Sequence, residues 1–231
     1  MPSLNPATEQ PTAPHRNRAH PVPAHRAPSL RISNVVYGRE RVGNRVRYLV
    51  DPKGGPSDLA IPEKIVLRRW RARKTPAGYT FAGTRLGPHF WRALATAFPD
   101  GLPSDEHPTA EQIQAARDAS HARRKRLHYS LPSARCLHAL FRAMGTSRLK
   151  TLIARHTDPE RVSRYGTPDL FLYATHTDPT RTPITRFVEV KRPNERVSPD
   201  QVEEIAFLNA LGVPARVLRL IERGVTQPQT T

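Results

Sequence analysis

From Leu30 onward, apolar and polar positions alternate in short runs. Arg31 to Tyr37, Arg45 to Val50 and Lys64 to Arg71 read as strands, separated by turn signals such as Asp51-Pro52-Lys53-Gly54-Gly55. The stretch from Leu30 to Phe81 is therefore expected to be β-rich. The period then changes. Thr109, with Gln112 three residues later, forms a capping box that opens a helix expected to run to about His128 and to carry Arg123, Arg124, Lys125 and Arg126. Leu137, Leu140, Phe141 and Met144 recur at i, i+3, i+4 and i+7 before Gly145, which marks a second helix from about Ser133 to Met144 with a core-facing stripe.

Beyond Thr167, Asp169 to Ala174 reads as a strand, His176 to Thr182 as a polar connection and Thr185 to Lys191 as a second strand. Ser198-Pro199-Asp200-Gln201 then opens a helix, with Ser198 as N-cap, Pro199 at the first helical position and Gln201 as the reciprocal capping partner. Gly212 ends that helix, and Ala215 to Ile221 supplies a third strand. Helix, strand, strand, helix, strand is the order of an α/β layer fold.

Composition changes the picture at the ends of the chain. Residues 1 to 29 hold one acid, Glu9, and no aromatic, so they cannot bury enough surface to offset ordering entropy and are expected to form a disordered basic tail. Four regions are expected: this tail, a β-rich then helical basic extension over 30–130, a core over 131–223, and a short flexible tail over 224–231. Cys136 is the single cysteine, which excludes an internal disulfide and cysteine-paired zinc. Neither an apolar leader nor a membrane-length apolar run occurs, so a cytoplasmic or nucleoid-associated setting and no membrane partner are expected.

Lys and Arg number 37 against 20 Asp and Glu, a formal charge of +17, which favours a polyanionic partner, DNA above all. Coding bias can enrich Arg, Ala and Pro, but it does not explain the shortage of acids. Arg68, Arg69, Arg71, Arg123, Arg124, Lys125, Arg126, Arg192 and Arg196 are the expected nucleic-acid contacts, since guanidinium forks hold phosphates bidentately. Trp70, Tyr79, Phe90 and Trp91 are read as core beneath them. Asp105-Glu106-His107, set between prolines, reads as a solvated loop.

The chemistry concentrates near residue 190. Strand alternation sets Phe187, Glu189 and Lys191 on one face. If Asp169 lies opposite on the same face, two carboxylates and an ammonium meet at one point. Phosphodiester hydrolysis asks for that combination, because Mg²⁺ needs hard oxygen ligands and is usually held by one or two carboxylates.

Gly166-Thr167-Pro168-Asp169-Leu170, then Phe187-Val188-Glu189-Val190-Lys191-Arg192-Pro193-Asn194, then Arg196, Ser198 and Gln201, resemble the VRR-NUC domain, a branch of the PD-(D/E)xK nucleases to which the Fanconi-associated nuclease belongs. The resemblance covers about residues 131 to 223. It implies a restriction-endonuclease-like core, a mixed β-sheet flanked by helices, and Mg²⁺- or Mn²⁺-dependent cleavage of DNA, often branched or junction-containing. It also implies Asp169 and Glu189 as metal ligands, the carbonyl of Val190 as a further one, and Lys191 as the group that positions the attacking water. Gln201 matches the family's helix glutamine, beside its capping role. A homodimer is compatible with the resemblance, though no segment marks an interface.

One departure bears on the site. The family's first core helix usually carries an acid, and the helix from Ser133 to Met144 has none. Glu111 and Glu160 are the two candidate substitutes. That gap is the main support for a rival reading, a DNA-binding or junction-recognition module that keeps the fold without catalysis. Charge alone would also suit an RNA-associated basic protein, a reading that ignores the motif.

Overall fold

The computed structural model describes residues 30–42, 45–49, 59–73, 77–98, 101–123, 132–159 and 166–222. The tails expected over 1–29 and 224–231, the turn at Asp51 to Gly55, and Lys74, Arg124, Lys125, Arg126 and Glu160 lie outside these residues. Among the described residues the elements run β1 (Ile32–Val42), β2 (Arg45–Leu49), β3 (Leu59–Ala60), α1 (Pro62–Arg71), β4 (Tyr79–Arg85), α2 (Phe90–Ala97), α3 (Ala110–Arg123), α4 (Ala134–Thr157), β5 (Leu170–His176), β6 (Ile184–Lys191), α5 (Pro199–Ala210) and β7 (Ala215–Glu222).

The strands form one mixed sheet in the order β3-β2-β1-β7-β6-β5-β4. The β1/β7 and β7/β6 pairs are parallel and the others antiparallel. Helices cover both faces, so the central strands must be apolar on both sides. β5 meets this demand: Leu170 and Leu172 join Val188, Leu218 and Leu220 under α1, whereas Phe171 and Tyr173 join Phe187 and Val217 under the other helices. The fold is thus the mixed sheet flanked by helices that the motif implied. The boundary expected near residue 131 falls between α3 and α4, which pack together, and β1 and β4 are strands of the same sheet as β5 to β7.

One element differs in kind from expectation. Lys64 to Arg71, expected as a strand, belongs to α1. Its inward residues are Pro62, Ile65, Val66, Leu67 and Trp70, a helical spacing, and Pro62 at the helix start with Glu63 in the first turn is a standard opening. The alternation of Ile65 and Leu67 imitates a strand only because the intervening Val66 is buried too.

The stripe of Leu137, Leu140, Phe141 and Met144 is fully core, as expected. Gly145 does interrupt the helix, at φ 73° and ψ 161°, but a second helical stretch follows at once as far as Thr157. Glu106 makes the join. Its carboxylate accepts from the Ser147 backbone N–H at 3.1 Å and from the Ser147 hydroxyl at 2.7 Å, capping the second stretch, and a Cβ on Gly145 would strike that carboxylate. Glu106 is exposed, as expected of a solvated loop, and it is also a cap, with the hydrogen bonds from Ser147 holding its pKa below the usual range. Trp70, Phe90 and Trp91 are buried as expected, with Trp70 on the α1 side and the other two on the opposite side.

Candidate active site

β5 and β6 set the site by register. Leu170 pairs with Val188 and Phe171 with Phe187, so continuing the ladder by one pair places Asp169 opposite Glu189. β5 starts at Leu170, which leaves β6 without a strand neighbour on that side past Val188. Asp169 fills the gap: its Oδ2 accepts from the Val190 backbone N–H at 2.8 Å. Val190 lines the pocket at this point.

Glu189 and Lys191 are 3% and 5% exposed, low values for charged side chains, and each is held by the other. Lys191 Nζ lies 3.0 Å from Glu189 Oε1 and 3.5 Å from Glu195 Oε1. Gln201 Nε2 donates to Glu189 Oε1 at 2.5 Å. The same glutamine accepts from the Ser198 backbone N–H at 3.0 Å while the Ser198 hydroxyl accepts from the Gln201 N–H at 3.3 Å, so the capping box and the contact to Glu189 coexist. The cap fixes the glutamine's rotamer, and the fixed rotamer aims its amide at the carboxylate.

Two features fix the position of α5. Gly166 runs against α5 so closely that a Cβ there would lie 2.9 Å from the Cβ of Glu204 and 3.0 Å from the Asp200 carbonyl. Beneath it, buried Glu204 accepts from or pairs with His156 at 2.6 Å and Arg155 at 3.2 Å. Burial pushes the Glu204 carboxyl up, but His156 and Arg155 outweigh it and leave the pKa below normal. This pair of contacts ties α5 to α4, so Gln201 stands on a fixed support.

A cavity of about 330 Å³ opens here, and Glu63, Asp169, Glu189, Val190, Lys191, Arg192, Glu195 and Gln201 are among the residues that line it. Burial, aided by the negative charge of Glu63, raises the pKa of Asp169 against the pull of the Val190 N–H and Lys191. Burial and the charge of Asp169 push Glu189 up to about 7, against Lys191. Both carboxylates are therefore held at a cost that a cation in the pocket would relieve.

Glu63 is the residue that the sequence reading missed. It enters from the first turn of α1, and its Oε2 is buried with no hydrogen-bond partner among the described residues. Glu111, one of the two expected substitutes, is an exposed residue of α3 outside this cavity. The signal for Glu63 was present as Pro62-Glu63 before a helically spaced apolar face, and reading that face as a strand concealed it. Among the described residues no three His, Cys, Asp or Glu side chains are already converged as a metal cluster. Glu189 Oε1 is turned to Lys191 and Gln201, and Asp169 Oδ2 to the Val190 backbone.

Residues 108–220 match the family model of the VRR-NUC domain. This part of the chain is a VRR-NUC domain. The cavity brings together Asp169, Glu189 and Lys191 of the motif that resembles this family. Two crystal structures share the fold. One is paFAN1 bound to 2nt 5′ flap DNA with a gap, at 15% identity and a TM-score of 0.55, covering 92% of this chain and 40% of that one. The other is paFAN1 bound to 1nt 5′ flap DNA with a gap, at 16% identity and a TM-score of 0.52, covering 87% and 39%. The chain spans about two fifths of the length of these relatives. No curated protein matches in sequence.

The expected nucleic-acid contacts are dispersed around the VRR-NUC domain. Arg192 and Arg196 are exposed in the loop between β6 and α5, with Arg192 at the cavity itself. Arg68 and Arg71 are exposed on α1, and Arg71 donates to the Gly83 carbonyl at 3.0 Å, whereas Arg69 is half-buried. Arg123 ends α3. No helix of the described residues is long and apolar enough to cross a membrane.

Proposed function

We propose that this chain is a metal-dependent nuclease that hydrolyses DNA phosphodiester bonds, with Asp169, Glu189 and Lys191 as its catalytic core. The observation that carries this reading is the convergence of buried Glu189 and Lys191 with half-buried Asp169, beside a Glu63 oxygen that has no partner among the described residues. Hard carboxylate oxygens withdrawn from water suit Mg²⁺ or Mn²⁺. Asp169, Glu189, Glu63 and the Val190 carbonyl would hold the ion. When bound, such an ion supplies Lewis-acid polarisation of a phosphate oxygen and eases deprotonation of water.

The chain's own groups do the rest. Gln201 and Lys191 orient the Glu189 carboxylate from two sides. The Lys191 ammonium, set between Glu189 and Glu195, donates to the attacking water or offsets negative charge as it builds on the phosphoryl oxygens. Arg192 and Arg196 hold flanking phosphates at the mouth. The missing helix acid was the main support for a module without catalysis, and Glu63 supplies an acid from a helix that packs over the sheet.

The family and the flap-bound fold relatives favour branched DNA as substrate. The test is a cleavage panel of linear duplex, single-stranded, flap and junction DNA with Mg²⁺, Mn²⁺ or EDTA, run beside Asp169→Ala. Metal-dependent product that vanishes in the variant is expected. Undiminished cutting by Asp169→Ala, or salt-sensitive binding with no product from any substrate, would overturn the proposal.

A further inference from the structure

A second charged site lies at the other end of α1. Arg186 and Arg216 alternate with Val188 and Leu218 on their strands, which puts them on the face that α1 covers. Arg31 joins them one position before the β1/β7 ladder begins, where its carbonyl accepts from the Val217 N–H at 3.2 Å. Arg73 arrives from just beyond the last turn of α1. Two cavities meet at Arg216. One of about 640 Å³ is lined by Arg31, Arg186 and Arg216, and one of about 300 Å³ by Arg69, Arg73 and Arg216.

Among the described residues, Arg31, Arg73, Arg186 and Arg216 are gathered without a counter-charge. Among the described residues, neither cavity is lined by an aspartate or glutamate, and none of Arg31, Arg73, Arg186 and Arg216 is paired with a carboxylate. The Nε of Arg216 is buried and has no hydrogen-bond partner among the described residues. Burial, compounded by Arg186, Arg31 and Arg73, pushes the Arg216 pKa down to about 10. Trp70 holds two of them in place: Arg73 and Arg186 lie 4.9 and 5.5 Å from its ring centroid, and its indole N–H donates to the Ala82 and Tyr173 carbonyls at 2.8 and 3.1 Å. A fixed aromatic platform carrying crowded guanidiniums, with donors left over, is a receptor for a multiply charged anion.

The cluster and the acidic cavity are joined. From Arg186 to Lys191 is five residues of strand, about 16 Å. Lys64, Arg68 and Arg71 are exposed at i, i+4 and i+7 on the solvent face of α1, spanning the interval from Glu63 to Arg73. A duplex strand covers about 16 Å in roughly five base steps.

We infer that Arg31, Arg73, Arg186 and Arg216 form a phosphate-binding site that anchors the DNA backbone about five steps from the scissile phosphate, with α1 as a basic rail between the two. The inference rests on the nuclease reading for the identity of the polymer, and its test does not require cleavage. Binding of a fluorescent duplex and a flap is measured by anisotropy in EDTA over a salt series, for the full chain and for Arg186→Gln/Arg216→Gln. The expected result is a loss of affinity equal for both DNAs and a fall of about two in the slope of log K against log salt. An unchanged slope overturns the site.

Thermal stability separates binding from folding. Because Arg216 is repelled by its neighbours, the double variant is expected to melt no lower than the parent chain, and a marked loss would assign these arginines a structural role instead. Inorganic phosphate, deoxyadenosine monophosphate and an unlabelled oligonucleotide are compared as competitors at equal phosphate concentration. The oligonucleotide is expected to displace far better. Equal displacement by the mononucleotide would reassign the site to a free nucleotide and overturn the backbone assignment. If the parent chain cuts nothing yet the slope falls as expected, the nuclease reading fails and the anchor stands.

Discussion

The two ends of α1 hold opposite charges under similar physical stress. At the Glu63 end, carboxylates are drawn out of water around a single buried ammonium. At the Arg73 end, guanidiniums crowd a cleft with no carboxylate among the described residues. Each end keeps charge that its own neighbours do not fully compensate, a state that folding alone does not favour. The difference lies in what fixes them. The acids are held by directional bonds from the Val190 backbone, Gln201 and Lys191, which suits chemistry that tolerates little displacement. Of the arginines, Arg73 and Arg186 lie against a ring face, a less directional hold that suits a mobile polyanion.

The largest expected effect comes from the acid end. Lys191→Ala should lower the rate of metal-dependent cleavage by about 100- to 1000-fold, the loss typical of a donor that stabilises developing charge, while DNA binding in EDTA persists. Loss of binding with little loss of rate would make both ends anchors and erase the contrast. Next, Glu63→Gln should raise the Mg²⁺ or Mn²⁺ concentration for half-maximal cleavage by at least about tenfold, on the scale of metal-site perturbations generally. A titration indistinguishable from that of the parent chain would remove Glu63 from the site.

A smaller effect concerns stability without metal. The Glu189 carboxyl is raised in the fold from about 4.5 to about 7, and Asp169 is raised as well, so the protonated forms are favoured by folding. Stability from these groups is present at and below pH 4.5 and is lost as pH climbs through about 7. In EDTA the melting temperature should therefore fall across that window, and Glu189→Gln should flatten the fall. A melting temperature that rises through the same window in the parent chain would contradict the strain assigned to the acid end. The smallest effect belongs to the rail: Arg68→Gln should reduce the salt slope of DNA binding by about one with only a few-fold change in affinity. A loss as large as that of the Arg186 and Arg216 double variant would shift the anchor from the cleft to the helix surface.

Local chemistry was legible along the chain. Ser198-Pro199-Asp200-Gln201 specified its capping box, the apolar stripe around Leu140 specified a buried helix face, and Glu189-Val190-Lys191 carried its alternation because these signals repeat at steps of four residues or fewer. The partnership of Asp169 with Glu189 was legible only as a condition, because strand register is set by pairing across twenty residues. Glu63 and the arginine cluster were beyond reach for a stronger reason. Glu63 meets Asp169 from more than a hundred residues away, and Arg31, Arg73, Arg186 and Arg216 come from the approach to β1, the end of α1 and the strands β6 and β7, which only the order β1-β7-β6 and the seat of α1 bring together. Sequence by itself determined which residues could hold charge and which short segments would be helix or strand. The tertiary structure decided which charges share a cavity, because burial and mutual repulsion exist only between groups that the sheet has placed side by side.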